Sequence, residues 1–173
     1  MELLWDEAIA RAKHLDSLPE PKGLLFGLPI STKEHHGMVG DNVSTHASFA
    51  AWIGKPHGSN LLYDTLWSEG CVFYARTTQP QLIMHLETIS PTFGRTVNPY
   101  NRNLTPGGSS GGESALLGMR GSILVSFFGS TDARNLWDGW LTVSRALVVI
   151  SVEVSAAHRL TSVSMASSKG WPL

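Results

Sequence analysis

Cysteine is nearly absent: Cys71 is the single thiol in 173 residues. A lone cysteine excludes an internal disulfide and any cysteine-built zinc site, and it fits a reducing compartment. Charge of one sign is lacking as well. Lys and Arg number 13 against 14 Asp and Glu, a formal net charge of −1, and nothing in that balance asks for nucleic acid or an anionic membrane. No apolar stretch approaches the roughly 18 residues that a membrane span needs. Met1 to Leu18 mixes acids and bases with its apolar residues, which does not read as a signal peptide. Internal repeats and charge runs are missing too. The expectation is a soluble, cytoplasmic protein, and an apolar content of 42% is enough for a real core.

What is present reads as alternating elements. Leu4, Ala8, Ala12 and Leu15 recur at helical spacing and Pro19 closes that segment. The dense run Leu24, Leu25, Phe26, Leu28 and Ile30, ending at Lys33, predicts a strand leaving a turn. Residues 36–58 read as a long loop. A helix follows, with Ser59 or Asn60 as N-cap and Gly70 at its end, and then a strand over Cys71–Arg76. A short helix is expected around Gln81–Glu87. Ser110 and Glu113 stand at capping-box spacing, so another helix should start at Ser110 or Gly111, with an apolar strand over Ile123–Phe128 beyond it. This order predicts an α/β architecture.

The densest chemical signal is Thr105-Pro106-Gly107-Gly108-Ser109-Ser110-Gly111-Gly112-Glu113. Its glycines let backbone approach a ligand closely. A linker would have the same composition, but linkers need no helix start. A phosphate loop would carry Lys where Glu113 stands. Gly107 to Gly111 satisfies G-x-S-x-G, yet a nucleophile elbow must follow a buried strand, and Tyr100–Pro106 is polar and broken by proline. The second signal is Gly27-Leu28-Pro29-Ile30-Ser31-Thr32-Lys33-Glu34. A lysine after a strand is ordinarily solvated. One ending a buried strand is desolvated, which lowers its pKa and suits it to act as a base. His35-His36 lacks the spacing of a helical zinc pair, His85 and Glu87 lie two apart, and Cys71 has no activating partner, so all five take ordinary structural roles.

Together these segments resemble the amidase signature family, most closely its fungal acetamidase-like branch. The resemblance runs from residue 22 to about 125. It rests on Gly27-Leu28-Pro29-Ile30-Ser31 with Lys33, on Arg76-Thr77-Thr78-Gln79-Pro80-Gln81, on Phe93 to Arg102, and on Gly107 to Glu113. It implies a partial amidase-signature fold, a mixed sheet flanked by helices with its C-terminal part missing. It implies a Ser–Ser–Lys triad hydrolysing the C–N bonds of small linear carboxamides, with no cofactor and no metal. Lys33 matches the general base. Ser109 matches the bridging serine, preceded by a cis peptide and also in contact with substrate, and Ile83 sits where the family lends backbone to the substrate. Oligomeric state is left open.

The text departs from the family after Leu124. A glycine-rich nucleophile loop is expected, but Val125-Ser126-Phe127-Phe128-Gly129-Ser130-Thr131-Asp132 follows, and the nucleophile position falls near Ala133. Ser130 is the nearest serine preceded by glycine, but no Gly-Gly pair stands before it to hold an oxyanion. Residues 126–173 contain nine serines and the unpunctuated run Ala146–Val154. The expected division is therefore 1–125 as the N-terminal part of an amidase domain and 126–173 as a poorly ordered tail foreign to the family, with room for a hairpin. On that reading the chain lacks its nucleophile; the rival reading is a non-catalytic remnant.

Overall fold

The computed structural model describes residues 1–35, 53–56, 61–122, 124–126, 148–154 and 160–167. A six-stranded mixed sheet runs through it. In chain order its strands are β1 (Glu2–Leu3), β2 (Pro29–Lys33), β3 (Val72–Thr77), β6 (Leu124–Ser126), β7 (Val148–Val154) and β8 (Leu160–Ser167). Their spatial order is β1-β3-β2-β6-β7-β8. β3, β2, β6 and β7 run parallel to their neighbours, while β1 and β8 pair antiparallel at the two ends. A two-stranded ribbon, β4 (Ile89–Ser90) with β5 (Gly94–Arg95), stands apart. The helices are α1 (Trp5–Asp16), α2 (Leu61–Ser68) and α3 (Gly111–Gly118).

α1 forms where the apolar spacing predicts it. Asp6 and Glu7 occupy its first turn and Lys13 and His14 its last, which complements the helix dipole at both ends. Ala8 and Leu15 are buried against Val72, with Ala12, Leu18, Phe26 and Tyr74 packed around them. α2 turns Leu62, Tyr63 and Leu66 onto Ile30, Cys71 and Phe73 in the larger cluster. β3 thus sends alternate side chains to two different layers, as a strand must. The Phe73 ring stacks on Tyr63 with centroids 3.8 Å apart, and Trp67 lies parallel to it at 6.1 Å.

Several sequence expectations shift. The strand predicted from Gly23 begins only at Pro29, because residues 24–27 form a turn that leaves Leu24 83% exposed while Leu25 enters the core. The strand after α2 is Val72–Thr77, and α2 ends in Gly70 at φ +89° as expected. The helix expected over 81–87 shrinks to a single 3₁₀ turn, Gln81–Ile83, since Leu82 and Ile83 adopt φ +57° and +64°. The predicted cap at Ser59 or Asn60 and most of the loop over 36–58 lie outside the described residues, as do residues 123, 127 and 128 of the last predicted strand. In the tail, β7 and β8 form an antiparallel hairpin, and β7 adds to β6 through Leu124↔Val148 to Ser126↔Ile150.

β2 is the strand that matters most. It lies between β3 and β6, and Ile30, Ser31, Thr32 and Lys33 are all buried. Parallel strands covered on both faces normally read as apolar runs. Three of these four residues are polar, so the centre of the sheet breaks that pattern. The core around it should be unforgiving: Phe73→Ala is expected to cost about 3–5 kcal/mol, measured as a lower urea midpoint at unchanged slope.

Candidate active site

β2 and α3 bring the two sequence signals together. Alternation places Ser31 and Lys33 on one face of β2. The glycine-rich loop enters α3 beside that face, and the Lys33 Nζ donates to the Ser109 Oγ at 2.7 Å. Lys33 is fully buried and Ser109 is 3% exposed. A buried amine held to a hydroxyl at this distance is a short path for one proton. The Gly108–Ser109 peptide is cis, as the resemblance implied.

The loop is clamped from several sides. The Thr88 hydroxyl donates to the Gly107 carbonyl at 3.1 Å and accepts the Gly111 N–H at 2.9 Å, spanning Ser109. The Thr105 hydroxyl accepts the Gly107 N–H at 2.9 Å, and the Asn98 amide braces the approach through the Thr105 carbonyl. Close packing explains the glycines: a Cβ on Gly108 would lie 2.5 Å from the Leu86 carbonyl carbon, and one on Gly112 would lie 2.5 Å from the Thr78 backbone nitrogen. No side chain fits at either position without moving backbone.

Glu113 does not behave as the capping-box spacing suggests. Ser110 is the N-cap of α3, but no side-chain capping bond forms. The Glu113 carboxyl turns inward, is fully buried, and accepts from the Ser31 hydroxyl at 2.9 Å and the Thr77 hydroxyl at 2.5 Å. Burial pushes its carboxyl up to about 7, although Thr77, Ser31 and the charge of Lys33 each pull it down. Desolvation therefore outweighs two hydrogen bonds and a nearby cation. The Ser110 hydroxyl is buried without a hydrogen-bond partner.

The remaining sequence candidates are dispersed. Ile83 lies on the 3₁₀ turn, and its left-handed backbone is unusual for a β-branched residue. That turn leads into Leu86, whose backbone packs against Gly108. Ser130 and Ala133 lie outside the described residues, as does His36. His35 pairs with the Gln79 side chain at 2.6 Å, and His85 accepts the Glu87 backbone N–H at 3.0 Å. Among the described residues no three His, Cys, Asp or Glu side chains converge as a metal site. Burial, reinforced by Glu69 and opposed by Arg11, pushes the Cys71 thiol up to about 12, where it is inert at neutral pH. Sequence reasoning missed Thr88 altogether and misjudged Glu113. Both act through contacts 19 or more positions away, which no local pattern reveals.

Comparison with known proteins decides the family: the model described as Amidase matches residues 1–126. The chain belongs to the amidase family. It is 47% identical over 131 residues to a Schizosaccharomyces pombe protein whose name calls it an amidase, covering 71% of this chain and 24% of that one. An acetamidase of Emericella nidulans is 41% identical over 128 residues, with 71% and 23% covered. Among solved structures, fatty acid amide hydrolase superposes with a TM-score of 0.62 at 36% identity, over 70% of this chain and 22% of that one. A bacterial aryl acylamidase of the amidase signature enzymes gives 0.60 at 27% identity, over 68% and 25%. The chain thus spans about a quarter of the length of the curated relatives it matches. Among the described residues no helix is long and apolar enough to cross a membrane.

The raised Glu113 carboxyl has a measurable consequence for this amidase-family fold. Its value of about 7 in the folded chain lies above the ordinary 4.5, so between these pH values the folded state holds the extra proton. Stability should be full below pH 4.5 and fall as pH rises to about 7, by on the order of 3 kcal/mol, then level off. Urea midpoints measured across that window should decline, and Glu113→Gln should flatten the decline.

Proposed function

We propose that this chain carries the base and the proton relay of a cofactor-free, cytoplasmic amide hydrolase. The observation that supports it most is the buried 2.7 Å contact from Lys33 to Ser109, in a chain of the amidase family. Relatives named acetamidase point to short linear carboxamides as the substrate class. Neutral Lys33 would take the Ser109 proton while Ser109 takes the proton of a second serine, whose oxygen attacks the amide carbonyl. The same relay would return a proton to the leaving nitrogen. Water would then attack the acyl-enzyme, again deprotonated through Ser109 and Lys33. Ile83 would offer backbone to the substrate on the loop that packs against Gly108.

The nucleophile is the part we assign to no residue of this chain. The family match ends at residue 126. The expected serine position falls near Ala133, and Ser130 lacks the Gly-Gly pair that would supply oxyanion donors. On this reading residues 126–173 do not belong to the family's fold, and the chain as it stands binds or relays without turning over. The rival reading, a remnant with no catalytic role, draws on the same change of text after Leu124.

Both readings meet in one assay. The chain is compared with a version whose residues after Leu124 are replaced by the matching acetamidase segment, following ammonia release from acetamide and from an aromatic amide. The chain itself should release none above background, because losing one member of such a unit costs on the order of a millionfold. The replaced version should gain activity that vanishes with Lys33→Ala or Ser109→Ala. Hydrolysis by the unaltered chain that disappears in Lys33→Ala would contradict the proposal. A replaced version that folds but stays inactive would favour the remnant.

A further inference from the structure

We propose that Glu113 is a positioning residue for Lys33: its buried carboxyl grips the two residues that flank Lys33 and supplies that amine with a counter-charge. This rests on the reading of Lys33 as the base. Ser31 precedes Lys33 by two positions on the same face of β2, and Thr77 is the cross-strand register partner of Lys33 itself. Glu113 takes a hydroxyl from each, one per carboxyl oxygen, at 2.9 Å and 2.5 Å. It does so from the first turn of α3, four residues after Ser109. One side chain thereby ties the relay loop to both strands that frame the base.

The chemistry of the contact selects an acid. Two hydroxyls donate to two oxygens, and an amide would present one acceptor and turn an N–H toward the other hydroxyl. A glutamate in the first turn of a helix has a ready solvent-facing alternative in the capping box. Burying it instead costs desolvation, which appears as its elevated carboxyl. Two titratable groups whose charge interacts with Glu113 are Lys33 on β2 and Tyr74 on β3, and the buried carboxyl of Glu34 follows Lys33 at the end of β2. Tyr74 is pushed above its ordinary value by burial and stays neutral near pH 7. Arg76, next along β3, is committed to Glu2 at 2.8 Å. Lys33 is a cation whose charge acts on Glu113, so its proton affinity follows the state of that carboxyl. When Glu113 ionises, protonated Lys33 gains a partner, and the two titrate as a pair.

The test needs no turnover. The lysine Cε and Nζ resonances of the intact chain are followed by NMR from pH 5 to 11, with Lys33 assigned by Lys33→Arg. The wild-type Lys33 signal should show two inflections, one near pH 7 from Glu113 and one from its own amine. In Glu113→Gln the first should vanish and the second should move down by about one pH unit, the size of effect an opposite charge has at such range. Glu113→Asp, which keeps the acid on a shorter arm, should restore the first inflection. A Glu113→Gln protein that folds with Lys33 titrating as in the wild type would overturn the proposal, as would a wild-type Lys33 signal with no inflection near pH 7. A purely structural Glu113 would lower stability and leave the Lys33 midpoint in place. Failure of the ammonia assay would bear on the role of Lys33 in catalysis and leave this coupling readable.

Discussion

An amine in the middle of a sheet is the constraint on which this structure turns. Water would stabilise the Lys33 ammonium by many kcal/mol, and a buried site must replace that or accept a neutral amine. β2 cannot move Lys33 outward, because β3 and β6 flank it. The solution is to give the amine a hydroxyl partner and an acid nearby. The Ser109 hydroxyl accepts a hydrogen bond from it, and Ser31 and Thr77 donate to a carboxyl whose charge acts on the same amine. The loop that carries Ser109 is packed closely against the backbone of Leu86 and Thr78, which explains why glycine stands at positions 108 and 112. Thr88 fixes that loop on both sides of Ser109. Lys33, the glycines and the threonine clamp all meet at the one loop that carries Ser109.

Much of this was legible in the sequence, and the reasons differ by feature. α1 and the start of α3 were readable because apolar periodicity and capping-box spacing are local signals, although the capping bond itself does not form. Lys33 and Ser109 each stood in a local signal, but their pairing was readable only through the family resemblance, since nothing local links residues 76 positions apart. The β2 boundary was misjudged because Leu24 and Leu25 extend the apolar run into a turn, where only one of them is buried. Glu113 misled for a physical reason. The capping box and the buried bridge require the same residue at the same spacing, and long-range hydroxyls decided between them. Left-handed backbone at Leu82 and Ile83 ended the helix expected there, and neither residue is of the type that announces such a turn.

The family relation and the chain's reach pull in different directions. Residues 1–126 match the amidase family, yet the whole chain spans about a quarter of its relatives. The sheet nevertheless continues past β6, because β7 takes a parallel place beside it and β8 closes that end. An exposed strand edge invites pairing with whatever is near, and β-branched text such as Val148–Val154 suits that role. Pairing of this kind runs through the backbone and asks little of side-chain identity.

The contact from Lys33 to Ser109 is the centre of the account, and a double-mutant cycle tests it directly. Unfolding free energies would be measured at pH 8 for the chain, Lys33→Met, Ser109→Ala and the double variant. A buried hydrogen bond between these two side chains should give a coupling of about 1–3 kcal/mol. Additive effects, with a coupling indistinguishable from zero, would mean that the two side chains do not meet in solution, and the relay would lose its physical basis.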